Sequence, residues 1–314
     1  MSVQKLLQEA KAASTAMGRA NSAAKNQALE NIASELESSS QLIIAANQLD
    51  MTAAETSGVS LALQDRLRLD QARVSSLAIA LRKIAQLEDP IGESVRGMTL
   101  ANGVLVQQVR VPFGVIGCIY EARPNVTIDI AGLAIKSGNC AVLRGGSAAE
   151  NTNKSLIGVI QAGLEKTGLP KSAVSTVDPF GRDGAVELMK ANGLVDVLIP
   201  RGSASLIRAV VTESTVPVIE TGDGVVHIFV DASADIATAI PIIINSKVQR
   251  PSVCNALETL LVHADAAQKL LPALAKELKE NGVTVHGCQQ TLLHIPYAIP
   301  ATDDDWATEY LSLD

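Results

Sequence analysis

Apolar residues recur at spacings of three, four and seven through the first 88 residues, an Ala-rich stretch with the pattern of packed helices. Between 62 and 88, Leu63, Leu67, Val74, Leu77, Leu81 and Ile84 form one such stripe. It predicts a single long helix stopped by Asp89-Pro90. The texture then changes. Residues 94–100 and 104–111 are β-prone and flank Asn102-Gly103, which predicts a hairpin. Their alternation slips at Gln107-Gln108, which predicts a bulge there. Such a ribbon is either an oligomerisation arm or an edge element.

From residue 113 short apolar runs alternate with helical stretches. The runs are 114–120, 140–143, 173–177, 195–199 and 216–219; the helices lie near 126–137, 149–167, 182–191 and 203–213. Fully apolar strands separated by helices predict a parallel sheet covered on both faces, a doubly wound α/β domain. A second unit starts near Gly222, with strands at 225–230, 258–263 and 283–286 and helices at 233–246 and 265–281.

Length and composition narrow the class. A chain of 314 residues suggests two domains, and 47% hydrophobic against 19% charged residues argues against extended disorder. The net charge of −7, the pI of about 5.2 and an aromatic content of 2% disfavour nucleic acid as a partner. No run of 18 apolar residues exists, and the amphipathic N-terminus does not read as a secretory signal, so we expect no membrane span. Cys118, Cys140, Cys254 and Cys288 are widely spaced, which fits a reducing cytoplasm.

Ligands of open α/β sheets bind beyond the carboxyl ends of the strands. Three predicted strand ends there carry an arginine beside Pro or Gly: Arg123-Pro124-Asn125, Arg144-Gly145-Gly146-Ser147 and Arg201-Gly202-Ser203. Arg250, before Pro251, lies in the second unit. Each guanidinium either ties its loop by ion pairs or binds an anion with its rigid donor fork; three at one edge favour the anion, helped by free amides at the following helix starts. Cys254 follows Lys247 and Arg250, so it is either an activated thiol or a small core residue. Cys118 and Cys140 read as core. His286, Cys288 and His294 lack a fourth ligand and an established zinc spacing, so we assign no metal. His227, in a strand, reads as a satisfied histidine in or beside the core. Glu220 is a general base or a turn residue; Asn125 is an oxyanion donor or the N-cap of the next helix. The motifs GxGxxG, GxxxxGK[ST] and GxSxG are absent.

Taken together, VPFGVIGCIYEARPNVT (111–127), LRGGSA (143–148), LIPRGSASLI (198–207), VPVIETGDG (216–224) and above all QRPSVCNALETLLVH (249–263) closely resemble the gamma-glutamyl phosphate reductases of the aldehyde dehydrogenase superfamily. The resemblance implies an aldehyde dehydrogenase-like fold. Residues 1–90 and 112–221 would form the dinucleotide-binding domain, 91–111 a β-hairpin oligomerisation arm and 222–314 the N-terminal part of a catalytic domain. It implies NADPH-dependent reduction of L-glutamyl 5-phosphate to L-glutamate 5-semialdehyde in proline biosynthesis by a cytoplasmic enzyme, a homo-oligomer if full-length. Cys254 would be the nucleophile that forms a thioester, and Asn125 with the Cys254 N–H would hold the oxyanion. Arg144, Gly145, Gly146 and Ser147, with Arg201, Gly202 and Ser203, would meet the cofactor; Arg123 and Arg250 would meet the anionic acyl phosphate substrate. Three features depart from the family pattern. Ser147 stands where lysine is usual, Glu220 aligns with a water-activating acid this reaction does not need, and relatives continue beyond Asp314 by a block of domain scale. Loss of that block would leave exposed apolar surface or unpaired strand edges, and makes a non-catalytic fragment the alternative. A cysteine hydrolase on the same scaffold is the third reading.

Overall fold

The computed structural model describes residues 2–121, 123–220 and 224–314, apart from the side chains of Leu61 and Ala62. The chain divides into two compact units, Met1–Thr221 and Gly222–Asp314.

The first unit opens with five helices: α1 (Val3–Arg19), α2 (Ser22–Ser38), α3 (Ser40–Thr56), α4 (Leu61–Leu67) and α5 (Gln71–Gln86). Side-chain caps start four of them, with Ser2, Asn21, Ser60 and Asp70 each accepting a first-turn N–H. The single helix expected over 62–88 is two. Arg68 is extended, and the Asp70 carboxylate takes the Arg73 N–H to begin a new helix. Buried Asn47 holds the break open, accepting the Leu69 N–H at 2.7 Å and donating to the Leu67 carbonyl at 2.9 Å. Leu63 falls off the buried stripe and is exposed.

The hairpin is present as β1 (Ser94–Thr99) and β2 (Leu105–Val109), with Gly103 at φ 85° in the turn. Its irregularity lies in the other strand from the one expected. Ser94 pairs with Val109 and Arg96 with Gln108, so Val95 is the extra residue opposite them. Every residue of both strands is exposed.

The remainder of this unit alternates strand and helix: β3 (Val115–Tyr120), α6 (Pro124–Lys136), β4 (Cys140–Arg144), α7 (Glu150–Glu165), β5 (Val174–Thr176), α8 (Gly181–Met189), β6 (Val197–Arg201) and α9 (Ala204–Glu213). The sheet is parallel throughout, in the order β5-β4-β3-β6. It is doubly wound, and β3 is buried at every position, as a strand covered on both faces must be. The run 216–219 does not form a strand. It contributes one bridge, Val218 to Leu198, beside β6, because Pro217 has no N–H to extend the ladder.

The second unit holds β7 (His227–Val230), α10 (Ile236–Val248), β8 (Thr259–Val262), α11 (Ala264–Glu280), β9 (His286–Gly287), α12 (Gln289–Leu292) and β10 (Ile299–Pro300). β7 pairs in parallel with β8, and β9 with β10. Of the strand expected at 283–286 only its last residue pairs. Val283 packs inward and the Thr284 N–H donates to the Leu313 carbonyl at 2.7 Å. Phe229, Ile242, Leu261, Leu293 and Trp306 are exposed. Among the described residues no helix is long and apolar enough to cross a membrane.

Candidate functional site

The register of the sheet fixes the first half of the candidate site. Ile119 pairs with Arg144 and Tyr120 with Arg201, so the two arginines end the strands on either side of β3. Arg123 follows β3 as the N-cap residue of α6. The three arginine turns that the sequence assigned to one edge do stand at the carboxyl edge of one sheet.

The amides at the starts of α7 and α9 are not free. At α7 the Asp50 carboxylate takes the N–H groups of Asn151 and Thr152, at 3.2 and 2.8 Å. At α9 the Glu121 carboxylate accepts both the N–H and the hydroxyl of Ser203, at 3.1 and 2.6 Å. A carboxylate of the chain itself thus occupies the N-termini of α7 and α9, where dipole and amides favour negative charge.

Behind the 144–147 loop runs a polar chain that sequence reasoning missed. Tyr120 Oη lies 2.6 Å from Thr127 Oγ1, and Thr127 donates to Asn153 Oδ1 at 3.0 Å. Asn153 Nδ2 reaches Asp178 at 3.5 Å, and Asp178 accepts the Gly145 N–H at 2.7 Å. Burial pushes the Asp178 carboxyl and the Tyr120 phenol above their ordinary values. The signal was available, because Asp178 directly follows the run 173–177 at a strand's carboxyl end. Asp50 and Asn153 sit inside helices and give no comparable signal.

Arg144 is half-buried. Its Nη1 donates to the Gly145 carbonyl, while its Nε is buried without a partner. A Cβ at Gly145 would lie 2.1 Å from Asn153 Nδ2, so only glycine lets the backbone pass so close to the polar chain. An orphaned guanidinium N–H beside a glycine turn suits an anionic group such as a dinucleotide phosphate. Gly146 precedes the 3-10 turn that Ser147 opens, and Ser147, Arg201, Gly202 and Ser203 are exposed.

Asn125 is not an N-cap. It is the second residue of α6, and its Nδ2 donates to Asp129 Oδ2 at 3.1 Å. Burial raises the Asp129 carboxyl, opposed by that bond and by the charge of Arg201. Glu220 is exposed, and its neighbours Thr221, Gly222 and Asp223 lie outside the described residues.

In the second unit Cys254 is exposed on a turn between α10 and β8. No helix starts there: Val253 N–H returns to the Arg250 carbonyl and Ala256 N–H to the Val253 carbonyl. Lys247 does not serve the thiol either. It is buried and pairs with Glu258 at 3.2 Å. Arg250 is exposed four residues before Cys254. His227 is not in the core; it is exposed, with Nδ1 2.6 Å from the Val225 carbonyl. Cys118 and Cys140 are sealed in the sheet, and burial pushes both thiols up to about 12. All four cysteines are free.

A cavity of about 580 Å3 opens over the apolar face of the second unit, lined by Leu271, Leu274, Val285, His286, Asp305 and Tyr310 among others, and not by Cys254. His286 faces Asp305 at 3.3 Å and stacks tilted on Tyr310, while Cys288 meets Thr291 at 3.3 Å. Among the described residues no group of three or more His, Cys, Asp or Glu is arranged to hold a metal ion.

Residues 1–291 match the model of the aldehyde dehydrogenase family. The chain is 57% identical to a gamma-glutamyl phosphate reductase of Clavibacter michiganensis over 312 residues, 99% of this chain and 72% of that one. A second, from Moorella thermoacetica, is 49% identical over 100% of this chain and 75% of its own length. Among solved structures, gamma-glutamyl phosphate reductase from Thermotoga maritima superposes with a TM-score of 0.91 at 41% identity, covering 100% of this chain and 76% of that one. On these grounds the chain belongs to the gamma-glutamyl phosphate reductases, oxidoreductases of the aldehyde dehydrogenase family.

Proposed function

We propose that this chain reduces L-glutamyl 5-phosphate to L-glutamate 5-semialdehyde with NADPH, releasing phosphate, as the second step of proline biosynthesis. The 57% identity to a gamma-glutamyl phosphate reductase over 99% of the chain carries this reading.

Cys254 is the nucleophile, and its exposure on a turn leaves the sulfur open to an electrophile. The thiolate attacks the acyl carbon. A carbon–sulfur bond forms, the carbon–oxygen bond to phosphate breaks, and a thioester and free phosphate result. A reduced nicotinamide, when bound, supplies hydride for the thioester carbon. The tetrahedral oxyanion then collapses, expelling the Cys254 thiolate and releasing the aldehyde. Asn125 and the Cys254 N–H are the oxyanion donors; the Asp129 bond to Asn125 supports this by fixing the amide plane. Arg123 and Arg250 meet the substrate's phosphate and carboxylate. Arg144, Gly145, Gly146 and Ser147, with Arg201, Gly202 and Ser203, hold the cofactor, and the buried unpartnered Nε of Arg144 supports an anion there. Cofactor phosphates at Ser203 must displace Glu121. Glu220 is an exposed carboxylate, and no step of this reaction needs it to activate water.

The hairpin 91–111 is the arm of a homo-oligomer, a role supported by exposed Val95, Leu105, Val106 and Val109 on a ribbon outside the main sheet. Four free cysteines suit a cytoplasmic location.

The test runs the reaction backward, with the semialdehyde, phosphate and NADP, following NADPH formation. Turnover that needs both phosphate and NADP and disappears in Cys254→Ser supports the reading. Hydrolysis of a thiol-reactive ester without nicotinamide supports the cysteine hydrolase instead. No turnover by folded chain favours a non-catalytic role; the chain spans 72% of the length of the Clavibacter relative.

A further inference from the structure

Resting on the reductase reading above, we propose that Asp129 is a positioning residue for this reaction: it turns the Asn125 amide so that an N–H of Nδ2 faces the developing oxyanion. The backbone of Asn125 is already fixed. Pro124 opens α6 and Asn125 is its second residue, so the chain there is helical. Val126, Thr127 and Ile128 follow it and are buried, which holds the first turn in place. The Asn125 side chain itself is half-buried, so its amide stays within reach of a ligand. What the backbone leaves open is which end of that amide, NH2 or carbonyl, points outward.

Asp129 lies four residues on, one turn along the same face of the helix, and accepts from Asn125 Nδ2 at 3.1 Å. An ionised carboxylate only accepts, so it pairs with the NH2 and repels the amide oxygen. Nδ2 carries two N–H groups; Asp129 takes one and leaves the other for a ligand. The flipped amide would turn its carbonyl oxygen toward a negatively charged intermediate and destabilise it.

The same pairing makes the donor depend on the charge of Asp129. Burial raises this carboxyl from its ordinary value, opposed by the Asn125 bond and by Arg201, the charged group that acts on it from the end of β6. Once protonated, Asp129 gains an O–H that can donate to the Asn125 carbonyl and so hold the flipped amide. A fall in pH through the raised value therefore withdraws the oxyanion donor.

The experiment follows NADPH formation from the semialdehyde, phosphate and NADP by the 314-residue chain. Loss of one oxyanion donor costs roughly 100- to 1,000-fold in kcat. Asp129→Leu misdirects the donor without deleting it, and is expected to lower kcat by about 10- to 100-fold while KM for the semialdehyde changes less than about twofold. The amide of Asp129→Asn can pair with either end of Asn125, so its kcat is expected to fall between the two. The wild-type kcat should decline in acid, and that decline should be absent from Asp129→Asn, which has nothing to protonate. In an Asn125→Ala background Asp129→Leu should cost nothing further, since no amide remains to be turned. Should Asp129→Leu fail to fold, the pH profile of Asp129→Asn decides alone. A loss that falls on KM, an acid decline that persists in Asp129→Asn, or an equal loss with and without Asn125 overturns the assignment and leaves the reductase reading standing. Absence of turnover by folded wild type overturns both.

Discussion

The Asp178 carboxylate accepts the Gly145 N–H at 2.7 Å, so the end of β5 sets the loop that follows β4. Asn153 and Thr127 extend this tie to α7 and α6. The loop is held from behind by a side chain that burial discourages from ionising, and this has a consequence for pH.

Burial raises the folded-state value of Asp178 above its unfolded one. The folded protein then binds more protons in the window between the two values, and stability falls as pH rises through it. Above that window the cost of burying the charge is fully present; below the ordinary carboxylate value it is absent. Asp178→Asn keeps an oxygen to accept the Gly145 N–H and removes the charge. Its melting temperature should exceed that of wild type at neutral pH, and the gap should close as pH drops below the ordinary carboxylate value. Thermal unfolding followed at several pH values checks this; a gap that is constant or grows in acid contradicts it.

Two glycines on α7 should respond to alanine with opposite signs. At Gly163 the new Cβ would lie 2.8 and 2.9 Å from backbone atoms of Ile32 on α2, which cannot yield without moving the helix. Gly163→Ala should therefore destabilise by roughly 1–3 kcal/mol. At Gly158, exposed in the middle of the same helix, the Cβ would meet nothing within 4 Å. Gly158→Ala should stabilise by about 0.5–1 kcal/mol through helix propensity alone. Urea unfolding of both variants is the measurement, with the sign at each site as its outcome.

The strand–helix alternation from β3 to α9 was legible because period and apolar runs are local properties of the chain. So was the edge bearing Arg123, Arg144 and Arg201, since strand ends follow from where apolar runs stop. Features set by distant side chains were not legible. The break between α4 and α5 depends on Asn47, twenty residues upstream, and the amides of α7 are taken by Asp50 from a different helix. The bulge was misplaced because alternation within β2 cannot show which partner strand carries the extra residue; pairing puts it at Val95. His227, expected in or beside the core, is exposed because along β7 only Val230 is buried. The local signal around Cys254 misjudged its surroundings, since Lys247 is drawn inward by Glu258.

Thiol reactivity should divide the cysteines by burial. Cys254 and Cys288 are exposed, and Thr291 together with nearby backbone N–H groups lowers the Cys288 thiol from its ordinary value. Cys118 and Cys140, each fully buried and pushed up to about 12, offer neither access nor thiolate. Brief iodoacetamide treatment of native protein, read by peptide mass spectrometry, should label Cys254 and Cys288 and spare the other two. Denaturant should make all four react. Native labelling of Cys118 or Cys140 would mean the β3–β4 pair opens far more readily than its burial implies.

The Lys247–Glu258 pair offers the sharpest energetic test in the second unit. Both side chains are nearly sealed, at 5% and 2% exposure, and Glu258 also accepts the Leu311 N–H at 3.3 Å. Removing one partner leaves the other charge buried, so Lys247→Met should destabilise by about 3–5 kcal/mol. Replacing both, as Lys247→Met with Glu258→Gln, removes the stranded charge while the glutamine oxygen still takes the Leu311 N–H. The double variant should therefore recover most of that loss, because the pair's attraction largely offsets the cost of desolvating it. A double-mutant cycle by chemical denaturation measures this. Strict additivity of the two single losses would mean that Lys247 and Glu258 do not act as a pair. Since Cys254 lies between them in sequence, the same cycle should be read with the rate of Cys254 alkylation. If the ion pair holds the turn, the single variants change that rate and the double variant returns it toward the wild-type value.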